Sequence, residues 1–239
     1  MRYIKHILSL LGILCIFISC TPDKITQIKW VSSTADSLFK GQPSLPLGYA
    51  KGVADVNIHV DEPLKTFEGF GATFSEVGWQ ALSALKDSDR KQVLNSLFSK
   101  DGLMLTHGVT PVGASMFSTK WYSYAEQEND FELSAFSIDQ DKEDLIPFIK
   151  AAQKRQPELH LTAIPWSPPS WMKNSNHYTN QEDSKESNAQ NNRLKERRAY
   201  FQSYALYLQK YITAYKEEDI SIQSLAIQNE MNSTHPYPS

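Results

Sequence analysis

The sequence predicts an α/β fold, a parallel sheet or barrel with helices packed on it, and three observations carry that expectation. Strand-like apolar runs alternate four times with stretches of helical period between Thr66 and Gln228. Gly69 and Gly71 close the first of these runs, where a backbone must turn sharply or be closely approached. After an N-terminal export signal roughly 220 residues remain, enough for one large domain and too few for two comfortable ones.

The signal comes first along the chain. Arg2, Lys5 and His6 precede the apolar run Ile7 to Ile18, too short for a convincing spanning helix, and Ser19-Cys20 follows. Phe17-Ile18-Ser19-Cys20 resembles a bacterial lipoprotein signal. That likeness implies a signal peptide over residues 1–19, lipid on the Cys20 thiol, and an exported protein anchored in the bacterial cell envelope, periplasmic or at the outer-membrane surface. The two cysteines, Cys15 and Cys20, both lie in this segment, so the mature domain is expected to hold no disulfide and no thiolate metal site. A formal net charge of −3 leaves no basic footprint for nucleic acid.

Residues 20–65 read as a linker with strands outside the main core, at Ile28 to Val31 and Val56 to Val60. Residues 66–239 form the main domain. Its first strand spans Thr66 to Phe74 and its first helix Val77 to Leu85. A second helix follows from about Ser88 to Phe98, with Asp87 expected to cap it and Val93, Leu94, Leu97 and Phe98 on the apolar face. Asp101-Gly102 turns the chain into a second strand, Leu103 to Val112. The charges of Glu126, Glu128, Asp130 and Glu132 describe a solvated loop, since they lack tight ligand spacing.

From Asp139 to Arg155 acids crowd the front, bases the back, and Leu145, Ile146, Ile149 and Ala152 recur at helical spacing. Pro147 places the start of the regular helix close to itself. Leu159 to Pro165 is a third strand. Leu194, Phe201, Tyr204, Leu208, Tyr211 and Tyr215 mark a long amphipathic helix, and Ile220 to Gln228 a fourth strand. The polar stretch from Asn174 to Lys195 is then a long loop between a strand and its helix. In such folds the loops after the strands' carboxyl ends build the site.

Three motifs fall at those ends. Phe67-Glu68-Gly69-Phe70-Gly71-Ala72-Thr73-Phe74-Ser75-Glu76 closes the first strand, Pro165-Trp166-Ser167-Pro168-Pro169-Ser170-Trp171-Met172-Lys173 the third, and Gln228-Asn229-Glu230 the fourth. In this order and spacing they resemble glycoside hydrolase family 30, the family of glucosylceramidases and bacterial β-1,6-glucanases. The resemblance runs from about Thr66 to the last residue. It implies the N-terminal half of a (β/α)8 TIM barrel, preceded by short strands of a side β-domain, and a retaining β-glycosidase chemistry.

Glu230 is then the catalytic acid/base, which requires a carboxyl tuned by its surroundings. Asn229 would hydrogen-bond the sugar hydroxyl beside the anomeric carbon, a contact that strengthens as the ring flattens. Trp166 and Trp171, on a proline-stiffened loop, form a candidate sugar wall, with core packing as the alternative. Trp121, Tyr122 and Tyr124 extend that surface or merely anchor their loop.

Departures from the family pattern lie in the expected pocket. Val109 and Met116 stand where the family carries Arg and Asp, Glu76 where Asp is usual, and Met231 where Pro follows the acid/base. The family's nucleophile Glu comes from a seventh strand and the chain reaches a fourth, so the expectation is an inactive fragment with open sheet edges and poor independent stability. Its expected partners are a β-linked glycan or glycoside, the membrane through the lipid, and a separately encoded C-terminal half. A non-catalytic glycan-binding surface lipoprotein is the rival reading. The histidines show no ligand spacing and no glycine loop cradles a phosphate, so no cofactor and no metal is implied.

Overall fold

A computed structural model describes residues 26–48, 52–53, 55–57, 59, 61–62, 64–179, 193–230 and 236–238. The signal segment and Cys20 lie outside them, as does Met231. The chain divides between Lys65 and Thr66 into two compact units.

In the first unit β1 (Gln27–Ile28) pairs antiparallel with β4 (Leu45–Pro46), and β2 (Val31–Thr34) with β3 (Ser37–Gly41) across a bulge between Ser32 and Thr34. The expected strand from Val56 to Val60 does not form over its described residues Val56, Asn57 and His59. Val56 is exposed, so its alternation has no apolar layer to pack on. The strand at Ser37–Gly41 had no alternating apolar signal; backbone pairing with β2 makes it.

The second unit holds a four-stranded parallel sheet in sequential order: β5 (Gly71–Thr73), β6 (His107–Pro111), β7 (His160–Ile164) and β8 (Ser224–Leu225). Four α-helices accompany it: α1 (Glu76–Ser83), α2 (Asp87–Phe98), α3 (Leu145–Gln153) and α4 (Arg198–Glu217). This is an α/β partial barrel, as expected. Along β6 and β7 alternate residues differ in burial. Gly108, Thr110, Leu161 and Ala163 are buried, whereas His107, Val109, His160, Thr162 and Ile164 on the other face are half-buried. Among the described residues β5 and β8 each pair on one side only.

Local chemistry sets the helix ends. Ser75 Oγ accepts from the Gly78 amide at 3.1 Å, which starts α1 at Glu76 rather than Val77. Asp87 does not cap α2: its carboxylate takes Arg90 Nη2 at 2.6 Å, and it lies in the first turn, where negative charge suits the helix dipole. Pro147 sits in the first turn of α3, where no intrahelical amide is needed. The acidic stretch before it forms a 3₁₀ turn, Asp139–Lys142.

The core lies between sheet and helices. Phe74 stacks on Phe98 at 6.0 Å and meets Phe148 edge-on at 4.8 Å, tying β5 to α2 and α3. On α4, Tyr200, Tyr204, Tyr207, Leu208, Tyr211 and Tyr215 are buried at helical spacing. β8 is short, yet Gln223, Ala226 and Asn229 donate their amides to the carbonyls of Leu161, Ala163 and Pro165. The chain is thereby held beside β7 as far as Asn229.

Candidate active site at the carboxyl ends of the strands

That last hydrogen bond, Asn229 N to Pro165 O at 2.8 Å, sets Asn229-Glu230 beside Trp166. Glu230 is exposed and has φ +43°, a left-handed conformation that non-glycine residues seldom adopt. Trp166 is half-buried. It meets Phe117 edge-on at 6.0 Å and Tyr237 at 5.8 Å, so three chain segments supply an aromatic row. Phe117 and Met116 are exposed, 40% and 45%, on the segment that follows β6.

Trp171 is placed differently. It is 3% exposed, packs on Phe131 and Tyr200, and donates its indole N–H to Ala125 O at 2.8 Å. Its position is the core-packing alternative, because the 3₁₀ turn Ser170–Met172 rotates it inward under the loop. Trp121 is 42% exposed, edge-on to His177 at 5.7 Å, whereas its neighbours Tyr122 and Tyr124 are buried anchors.

Two buried carboxylates hold the loop after β6. Glu76, 2% exposed, accepts from Thr119 N and Oγ1, both at 2.9 Å. Asp141, 0% exposed, accepts from the hydroxyls of Tyr122 and Tyr124 at 2.6 Å and of Tyr215 at 2.5 Å. Burial raises its carboxyl to about 6 against the pull of these three donors, with Glu76 adding to the rise. Sequence reasoning missed Asp141, reading it as one acid among several at a helix front. Only the convergence of three distant tyrosines singles it out.

The loop after β7 has its own brace. Lys173 is buried, its Nζ donating to Tyr178 O at 3.0 Å and to Ser167 Oγ at 3.3 Å, and burial lowers its pKa to about 7. Tyr178 in turn donates to Glu126 Oε1 at 2.5 Å, joining the two loops. The apolar cavity of about 240 Å³ lined by Phe74, Leu82, Leu97, Phe98, Leu105 and Phe148 lies between β5 and the helices, not at this mouth. Val109 and Met116 place no charge at the mouth.

Parallel strands in sequential order with helices packed on them define part of a (β/α)-barrel. The chain belongs to glycosyl hydrolase family 30, whose TIM-barrel domain matches residues 67–236. It is 33% identical over 182 residues to putative glucosylceramidase 1 of Caenorhabditis elegans, covering 75% of this chain and 33% of that protein. It is 28% identical over 178 residues to an endo-1,6-beta-D-glucanase of Neurospora crassa, covering 73% and 35%. Among solved structures, SrfJ from Salmonella typhimurium superposes with a TM-score of 0.73 over 87% of this chain and 45% of its own, at 24% identity, a likeness of fold. An endo-beta1,6-glucanase gives 0.63 at 27% identity over 76% and 39%. The chain spans about a third of the length of the curated relatives it matches.

Proposed function

We propose that this chain supplies the acid/base half of a retaining β-glycosidase, glucosylceramidase-like or β-1,6-glucanase-like, acting on a β-linked glycan or glycoside. One observation carries the reading: Asn229 and Glu230 follow β8, hydrogen-bonded alongside Pro165-Trp166 at the end of β7. Glu230 would protonate the leaving oxygen and later deprotonate the attacking water. Asn229 would hold the neighbouring sugar hydroxyl, and the half-buried Trp166 would stack on the ring. A retaining mechanism also needs a nucleophilic carboxylate about 5–5.5 Å from the acid/base. Glu76, just past the carboxyl end of β5, is buried and accepts from Thr119 through Oε2, and the nucleophile is expected from a carboxylate outside the four described strands of the sheet.

The test is turnover of aryl β-glycosides by this chain alone and co-expressed with a matching C-terminal half. No turnover is expected alone. In the pair, Glu230→Gln should cost about 10²–10⁴-fold on poor leaving groups and far less on activated ones. Equal activity of Glu230→Gln and wild type would refute the assignment. Val109 and the exposed Met116 favour a second reading, non-catalytic glycan binding at the cell envelope, and glycan binding without turnover in the reconstituted pair would support it. Either way, we propose that Cys20 carries the lipid that anchors the chain.

A further inference from the structure

The loops after β6 and β7 meet through two pairs of rings, and the proposed sugar site uses only one of them. Phe117 and Trp166 are that pair. Trp121 and His177 are the other, edge-on at 5.7 Å with ring planes 85° apart. Among the described residues Trp121 meets no ring of the row formed by Phe117, Trp166 and Tyr237, so the second pair is a separate surface on the same two loops. Trp121 is 42% exposed and His177 is exposed too, and an edge-on contact covers at most one face of the indole.

The backbone under this exposed indole is held on both sides. Two residues before it, Thr119 N and Oγ1 donate to the buried Glu76, both at 2.9 Å. One residue after it, Tyr122 O accepts from Ala114 N at 2.8 Å and the Tyr122 hydroxyl donates to the buried Asp141 at 2.6 Å. His177 is fixed from its own loop: Nδ1 accepts from Thr179 N at 3.2 Å and lies 2.8 Å from Thr179 Oγ1, so the proton of the neutral ring sits on Nε2. Beside the pair, Glu126 Oε1 accepts from the Ser123 amide, from Ser123 Oγ at 3.0 Å and from the Tyr178 hydroxyl at 2.5 Å, clasping one loop to the other.

Such a surface suits a sugar. A pyranose presents an apolar face of C–H groups, which an open indole face takes, and hydroxyls at its rim, for which the imidazole Nε2–H is a donor. A ring already fixed in place spares the ordering cost that binding to a loose loop would carry. We infer that Trp121 and His177 form a second sugar subsite, taking a further unit of the glycan whose cleaved linkage lies near Trp166. The inference rests on the proposed glycosidase reading and deepens it: the substrate class is a β-linked oligosaccharide or glucan rather than a single sugar on a lipid. A lone glycosyl unit at the mouth gains nothing from Trp121, whereas an oligosaccharide reaches both pairs.

The test follows the fluorine resonances of Trp121 and Trp166 in the whole chain carrying fluorine-labelled tryptophan, with methyl β-glucoside and a β-1,6-linked glucose tetramer as probes. The tetramer is expected to move both signals and methyl β-glucoside that of Trp166 alone. Trp121→Ala should lower the tetramer's advantage in affinity over methyl β-glucoside by about 2–10-fold, and Trp121→Phe should restore most of it. Weakening of both probes to the same degree in Trp121→Ala would mean that the indole only braces the loop, and overturns the subsite. A tetramer that moves Trp166 alone also overturns it and leaves the proposed site standing. So does methyl β-glucoside moving Trp121 as far as Trp166, since one sugar would then meet both rings. Movement of Trp121 alone upholds the subsite and counts against Trp166 as the sugar wall; silence of both signals overturns both.

Discussion

Gly108→Ala tests the packing that holds the second strand of the sheet in place. Gly108 is buried in the middle of β6, in register with Ala72 on β5 and Leu161 on β7. A Cβ added there would lie 2.4 Å from Phe74 Cε2 and 2.9 Å from Leu161 Cδ2. Carbon atoms pack at about 3.5–4.0 Å, so the Phe74 ring must retreat by roughly 1 Å. It has little room, being stacked on Phe98 and edge-on to Phe148, and the displacement passes to α2 and α3. Overpacking of this kind costs about 1–3 kcal/mol, offset by about 0.5–1 kcal/mol because glycine loses the most entropy in a strand. The net expectation is a loss of about 1–2 kcal/mol, or about 3–6 °C in Tm for a unit of this size. Thermal unfolding followed by far-UV dichroism reads it. Phe74→Leu, which shortens the obstructing ring, should make the double variant less destabilised than the sum of the singles by at least about 0.5 kcal/mol. An unchanged Tm in Gly108→Ala, or strict additivity with Phe74→Leu, would refute the reasoning.

Three further outcomes are expected. Asp141 sits at about 6 in the fold against an ordinary 3.8, so between these values the folded state holds the proton that the unfolded state has lost. Stability from this group therefore falls as pH rises through that window, by roughly 3 kcal/mol, and urea unfolding should show Asp141→Asn gaining about that much relative to wild type from pH 4 to pH 7. A pH-independent difference between the two proteins would contradict it. Trp171→Ala should cost about 3–5 kcal/mol of stability, as for a fully packed aromatic, while Trp166→Ala costs less than half as much and weakens glycan binding; equal costs would mean the two indoles share one environment. Cys20→Ser should leave the precursor uncleaved or differently processed and release it from membranes, as read by fractionation and intact mass; unchanged processing and membrane association would rule out the lipid anchor.

Much of the fold was legible in the sequence because helical and strand periods leave their mark on local residues. Leu94 and Phe98, four places apart on the face of α2 expected to be apolar, are both buried, although Val93 of that expected face is exposed. Tyr204, Leu208, Tyr211 and Tyr215 of the expected helical face pack inward on α4, whereas Phe201 is exposed and Leu194 lies before the helix begins. The three motifs at the strand ends were equally readable, being contiguous, and they correctly pointed to glycosyl hydrolase family 30. Helix caps were not legible in this way: Ser75, which the sequence did not single out, caps α1, and Asp87, expected to cap α2, does not.

Tertiary structure alone decided what each side chain in those motifs does, because burial and hydrogen bonding depend on segments far apart in the chain. Trp166 and Trp171 are five residues apart on one loop, yet a 3₁₀ turn sends one to the aromatic row and the other beneath it. Tyr122 and Tyr124 turned out to be anchors rather than surface because a carboxylate 17 to 19 residues on waits for their hydroxyls. Asp141 carries no local mark at all: its third donor lies 74 residues downstream on α4. Sequence period determined which segments became strands and helices, whereas the closure of distant segments around Asp141, which accepts from three hydroxyls, and Glu76, which accepts from Thr119, determined the course of the loop after β6, since buried polar groups favour arrangements that supply their hydrogen bonds.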